Sequence, residues 1–254
     1  MDGPRADACQ HRGPPGAKMG VMACSRTTSV TARRLRLATL LVAGLALLLA
    51  TPATGQPGPT VATTQVRGPI TPVIANHLAD TIATAAEAGH EALIVQLDTP
   101  GGLVTSTRSI VQTLLEARIP VIVYVSPRGA DAGSAGTFVT LAAHIAAMSP
   151  ATTIGAATPI DLEGGEISDK VINNAAEFAR AIAEERGRDV EFAVASVRDG
   201  ISITADEALK NGTIDLIASD LADLLAEVDG TVIELADGSV VTLATASAQV
   251  VELD

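Results

Sequence analysis

Ser134 is the hydroxyl best placed for chemistry in this chain. It stands in the run Gly129-Ala130-Asp131-Ala132-Gly133-Ser134-Ala135-Gly136-Thr137-Phe138. Before it, Pro120-Val121-Ile122-Val123-Tyr124-Val125 is short, β-branched and bounded by prolines, which predicts a buried strand. After it, the Ala-rich stretch from Thr137 to Met148 predicts a helix. A serine on so tight a connection can act as a nucleophile. The glycines let the backbone bend, a carbonyl can approach, and the helix N-terminus offers amide donors to an oxyanion. A Gly/Ala-rich loop packed on a neighbouring strand carries the same residues, so Gly-Ser-Ala-Gly alone is not specific.

A second stretch upstream repeats the pattern. Ala92-Leu93-Ile94-Val95-Gln96-Leu97-Asp98-Thr99 predicts a strand that runs into Pro100-Gly101-Gly102, with a helix from Val104 to Ala117 behind it. Paired glycines after a strand can present an N–H outward, as an oxyanion donor must. Two parallel strands ending in a donor loop and a serine loop would meet at one crevice. Asp98, next to the turn, is expected to cap it rather than to react.

The elements that must hold these loops are of α/β type. Thr60 to Arg67 predicts a first strand, and Ile70 to Ala88 an amphipathic helix closed by Gly89. Residues 156–167 are Gly-rich, irregular and acidic, which suits a solvated loop or a mobile lid. Two helices follow, Asp169 to Arg186 and Asp189 to Asp199. Thr204 caps another that ends at Gly212, and Ile214 to Ile217 is a short strand. The end, Gly230 to Leu243, predicts a hairpin turning at Asp237-Gly238.

Taken together, Leu97-Asp98-Thr99-Pro100-Gly101-Gly102-Leu103 and Gly133-Ser134-Ala135-Gly136-Thr137 make a specific combination. They are followed by Ala142-Ala143-His144-Ile145-Ala146-Ala147-Met148-Ser149-Pro150 and Ile154-Gly155-Ala156-Ala157-Thr158-Pro159-Ile160. The set resembles the protease domain of the long NfeD proteins, membrane-bound relatives of ClpP and signal peptide peptidase A. The resemblance covers about residues 60 to 250. It implies a ClpP/crotonase-like α/β fold of stacked ββα units with a mostly parallel sheet. It implies a serine endopeptidase with Ser134 as nucleophile and the N–H groups of Gly102 and Ala135 as oxyanion donors. Gly101, Leu103 and Gly133 would line the substrate path.

The base follows from the same resemblance. ClpP places a histidine shortly after the serine helix, but Ile154-Gly155-Ala156-Ala157 holds none, and His144 lies too far along the expected helix. NfeD proteases and signal peptide peptidase A use a lysine. Lys18 falls in the leader and Lys210 in a structural unit, so Lys170 is the candidate. In some archaeal relatives the dyad lysine aligns with Arg180, and an arginine stays protonated. Either Lys170 serves as the base, or the dyad is incomplete and the chain is a scaffold. The expected substrates are apolar segments of membrane proteins, stomatin-like proteins among them. No cofactor is implied, and relatives suggest a homo-oligomer. An acyl-CoA enzyme of the crotonase type would share the fold, but export argues against it.

Export is expected from residues 1–55. Arg33-Arg34-Leu35-Arg36, the apolar run Leu37 to Ala50 and Thr51-Pro52-Ala53-Thr54-Gly55 have the form of a secretory signal behind an extended n-region. The organisation expected is therefore a signal at 1–55, a protease domain at 56–230 and a C-terminal hairpin and tail at 231–254. In the complete protein, membrane association follows from the resemblance. Cys9 and Cys24 both precede the apolar run, so the mature part has neither disulfide nor thiol nucleophile. His77, His90 and His144 show no ligand spacing, so no metal site is expected. The whole chain carries a net charge of −12. Without the leader, 10 basic residues face 27 acidic ones, about −17 in net charge, which argues against nucleic acid and against a polybasic membrane face.

Overall fold

The computed structural model describes residues 58–161 and 165–253. The expected signal lies outside the described residues. Six parallel strands make the central sheet: β1 (Thr60–Arg67), β2 (Leu93–Asp98), β3 (Val121–Val125), β5 (Ile145–Met148), β8 (Leu216–Ile217) and β11 (Gln249–Glu252). Their order is β11-β1-β2-β3-β5-β8. A smaller sheet joins β4 (Asp131–Gly133), β6 (Thr153–Gly155) and β7 (Ser202–Thr204), and β9 (Val232–Glu234) pairs with β10 (Val240–Thr242). The helices are α1 (Pro72–Ala88), α2 (Val104–Leu115), α3 (Ala135–Ala142), α4 (Asp169–Glu185), α5 (Val190–Arg198), α6 (Ala205–Asn211) and α7 (Leu221–Glu227).

Period-two alternation along the strands divides the core into two layers. Leu93, Val95, Leu97, Val121, Val123 and Val125 face a large layer that includes Leu78 of α1, Leu114 of α2 and Ile182 of α4. Ile94, Ile122, Tyr124 and Ile145 face the other layer, where Leu224, Leu225, Ile233, Leu235 and Leu243 meet them. α7 and the hairpin thus cover the far face of the sheet. A parallel sheet needs both faces covered, which is why its strands read as unbroken apolar runs.

Most element boundaries match the expectation, and the caps explain several. Thr71 accepts from Ile74 N–H ahead of α1, and Gly89 ends it at φ 72°. Thr204 and Glu207 form a reciprocal capping box on α6, closed by Gly212 at φ 80°. One expectation is corrected. The helix anticipated from Thr137 to Met148 stops at Ala142, and Ile145–Met148 is β5, hydrogen-bonded beside β3. Alanine favours a helix locally, but the sheet needs small buried residues at this central position, and tertiary packing decides. The short strands β4 and β7, helix α7 and the tail strand β11 were not anticipated.

Candidate functional site

The parallel strands β2 and β4 end together, and their loops form the site. Thr99 and Ala132 bridge in parallel, with Thr99 N–H donating to Asp131 O and Gly133 N–H to Thr99 O. Asp98 Oδ1 accepts from Asp131 N–H at 3.1 Å, so this carboxylate ties the two strand ends together instead of capping its own turn. Thr99 Oγ1 accepts from Gly101 N–H and donates to Gly101 O, both at 3.1 Å. Ile70 then clamps the other side of the turn, its N–H donating to Gly101 O and its O accepting from Leu103 N–H. Gly102 is the residue left between these bonds, and its N–H donates to no protein acceptor among the described residues. A Cβ at Gly102 would collide with the Ile70 backbone, so only glycine fits.

Ser134 follows β4 directly and precedes α3. It adopts φ 48° and ψ −104°, a conformation that side-chain-bearing residues rarely take. Its own N–H donates to Gly155 O. The turn is fixed from the other side by Thr137, whose Oγ1 donates to Ala132 O and Gly155 O at 3.0 Å each. The Ser134 hydroxyl is half-buried and makes no hydrogen bond among the described residues. A Cβ on Gly101 would stand 3.2 Å from Ser134 Oγ, so the two loops touch. Ala135 N–H opens α3 and, like the Gly102 N–H, has no protein acceptor among the described residues. A free hydroxyl with two unpaired amides nearby can attack a carbonyl and receive the oxyanion that results.

Two concavities meet at Ser134. A cleft of about 50 Å³ is lined by Val104, Phe138, Ala157, Pro159, Ala175 and Phe178, with Gly102, Ala135, Thr107 and Arg108. A wider groove of about 600 Å³ runs past Ile70, Gly101, Gly102, Leu103, Val104 and Ile160. Leu103, Val104 and Ile160 are solvent-exposed apolar residues along it. Gly133 lies beneath the surface in β4 and lines neither concavity; a Cβ there would meet Asp131 Oδ2 at 2.7 Å.

Lys170 is an exposed residue in the first turn of α4, without a hydrogen bond or ion pair among the described residues. It lines neither concavity. The segment just before it includes residues 162–164, which lie outside the described residues. Arg180, farther along α4, pairs with Glu177 at 3.1 Å and also lines neither concavity. His144 sits at the start of β5, where its Nδ1 accepts from Val121 N–H at 3.2 Å. Burial, then the charges of Arg186 and Arg188, push its pKa down to about 4. It is held neutral as part of the packing. His77 and His90 bond to Thr64 and Thr60. Phe138 and Phe178 were not foreseen as site residues. They are two of only three phenylalanines in the chain, but their stacking is non-local and no spacing announces it.

The NfeD1b N-terminal domain family model matches residues 60–252. This chain belongs to that family. Among its curated relatives, the membrane-bound protease PH1510 of Pyrococcus horikoshii is 38% identical over 171 residues, covering 65% of this chain and 39% of that protein. The membrane protein NfeD1b of Bacillus subtilis is 27% identical over 168 residues, covering 61% and 38%. The chain thus spans about two fifths of the length of the curated relatives it matches. A solved structure of the 1510-N membrane-bound stomatin-specific protease, in a lysine-to-alanine form with a substrate peptide, superposes with a TM-score of 0.73 at 35% identity. It covers 77% of this chain and 92% of that one. A serine-to-alanine form of the same protease matches equally, covering 77% and 98%. ClpP1 of Listeria monocytogenes, at 19% identity and a TM-score of 0.52 over 62% of this chain and 91% of that one, shares the fold. The NfeD1b-type domain therefore has the ClpP-like architecture expected from its motifs.

Proposed function

We propose that this domain is a serine endopeptidase acting on apolar polypeptide segments, with Ser134 as its nucleophile. The observation that carries the reading is the strained, unbonded Ser134 hydroxyl beside two amides, Gly102 N–H and Ala135 N–H, that lack acceptors. Ser134 Oγ attacks the scissile carbonyl and gives its proton to Lys170 Nζ, while the two amides take the oxyanion. The proton then passes to the leaving amine, and water hydrolyses the acyl-enzyme. Gly101 and Leu103 border the groove in which the substrate chain would lie. Lys170 enters as base because a related stomatin-specific protease has been studied with a serine and a lysine replaced by alanine. An amine accepts a proton only when neutral, and a bound chain that excludes water favours that form. A stomatin-like protein is the substrate this kinship suggests, and an extracytoplasmic, membrane-apposed homo-oligomer is the setting we infer for it. Protection of the domain from protease added to spheroplasts, under conditions that cleave the purified domain, would contradict that placement.

A second reading has an observation of its own. Lys170 is exposed and lines neither concavity, as expected of a ClpP-like scaffold that binds its partner without cutting it. A fluorophosphonate probe separates the two. The chain should react at Ser134 and Ser134→Ala should not. Lys170→Ala and Lys170→Arg should each slow the reaction by about 10²-fold or more, since neither supplies a neutral amine. Arg180→Ala should react like the unaltered chain. Absence of labelling in the unaltered chain would establish the scaffold, and undiminished labelling of Lys170→Ala would assign the base elsewhere.

A further inference from the structure

The cleft beside Ser134 is mostly apolar and holds one charged side chain, Arg108. Phe138 and Phe178 stack with centroids 5.7 Å apart and planes at 23°. The Arg108 guanidinium covers the outer ring, with its Cζ 4.2 Å from the Phe178 centroid. Arg108 Nη2 donates to Asn174 Oδ1 at 2.8 Å. Arg108 is therefore held in place from α4 while standing on α2, and it lines the same cleft as Ser134.

What this arginine lacks is a carboxylate. Among the described residues, Arg180 and Arg198 pair with Glu177 and Arg188 pairs with Asp215; Arg108, like Arg67, Arg118, Arg128 and Arg186, makes no ion pair, but of these it is the one that lines the Ser134 cleft, with a neutral amide and a ring as its partners. Acidic residues outnumber basic ones 29 to 17 in the chain, so an unpaired guanidinium is not for want of anions. Stacking and the Asn174 bond orient the planar fork and leave most of its five N–H donors unused. A pre-oriented, uncancelled positive charge at the mouth of an apolar cleft is a recognition element for an anion on the bound chain.

We propose that Arg108 is a specificity-determining residue that selects peptides carrying a carboxylate within a residue or two of the apolar side chain seated in the Ser134 cleft. This rests on the peptidase reading for its substrate class, but not on turnover. If Arg108 only tied α2 to α4, replacing it would lower stability and leave peptide preference unchanged.

The full chain carrying Ser134→Ala is titrated with labelled peptides that share an apolar core. Glu, Gln or Lys is placed at each of the three positions on either side of that core, with amidated C-termini. A parallel set with Gln and a free C-terminal carboxylate separates a side-chain anion from a chain terminus. Fluorescence anisotropy at low salt should show one carboxylate placement binding about five- to tenfold tighter than its uncharged counterpart. The preference should fall to about one in Arg108→Gln. It should reverse toward the Lys peptide in Arg108→Glu, an inversion that a purely structural arginine would not give. A carboxylate preference of one at every placement, an unchanged preference in Arg108→Gln, or no peptide binding at all would overturn the proposal. Turnover by the chain with Ser134 intact keeps the two readings apart. Selective binding without hydrolysis leaves Arg108 standing and removes the peptidase, while hydrolysis blind to charge does the opposite.

Discussion

At Ser134 the backbone itself is under tension. A φ of 48° with ψ −104° on a residue bearing a Cβ costs on the order of 1–3 kcal/mol, maintained here by the bonds of Ser134 N–H and Thr137 Oγ1 to Gly155 O. Alanine at this position removes the hydroxyl and keeps the strain, whereas glycine removes both. Ser134→Gly and Ser134→Ala should therefore be equally unreactive, with Ser134→Gly more stable by about 1 kcal/mol after its larger chain entropy is counted. Urea midpoints measure the difference, and a glycine variant no more stable than the alanine one would show the turn to be relaxed. The serine and its glycines were legible as a sharp turn, but their division of labour was not. Gly133 and Gly136 do not carry the positive φ; the serine does. The glycines make room instead, since a Cβ on Gly136 would meet Thr99 Cγ2 at 2.7 Å. A sequence shows that small residues are needed, not whether they bend the chain or admit a neighbour.

Several elements with local signals were read correctly and those defined by distant partners were not, while α7 was missed despite the Asp220 cap that opens it. Thr60–Arg67 announced itself as β1 by composition, and α6 by its capping box, because both signals lie within a few residues. Ile145-Ala146-Ala147-Met148 carries no comparable signal. Its four residues are all buried, so no alternation marks the strand, and only the slot between β3 and β8 makes it one. The Phe138–Phe178 pair and its Arg108 cover join α3, α4 and α2, and no window of sequence contains all three. This explains why the Gly101-Gly102 and Ser134 loops could be picked out from the sequence while the cleft beside them could not.

On the scale of the whole molecule, acid should be felt first away from the site. Arg186 donates to Ala142 O and Leu114 O, and Arg188 donates to Leu141 O and Ala143 O while pairing with Asp215. The two arginines thus gather the ends of α2, α3 and α4, with neutral His144 beside them. Glu185, Asp215, Glu227 and Glu234 line the cavity that adjoins His144 and Arg186. In the unfolded chain His144 takes a proton near pH 6.5, whereas folded it refuses one until about pH 4. Between those values the unfolded chain binds more protons, so stability is fully present above about 6.5 and is lost as pH falls toward 4. The loss approaches roughly 3 kcal/mol at most. Denaturant titrations at pH 7 and pH 5 measure it, with His144→Gln as the control that should flatten the slope. Equal slopes in the two proteins would assign the acid sensitivity to other groups.

The pairing of β1 with β11 carries a consequence for biogenesis. Thr60 lies opposite Gln249, and Gln249 N–H and Leu253 N–H donate to Pro59 O and Thr63 O. The first strand described therefore has one edge that is closed by residues about 190 positions later in the chain, those of β11. During synthesis that edge must wait, its amides and carbonyls unpaired, while the elements between β1 and β11 emerge. An open edge on a β-branched strand is a template for aggregation. The domain should thus depend on holdase-type chaperones until β11 arrives, and β11 itself acts as the latch that ends that dependence.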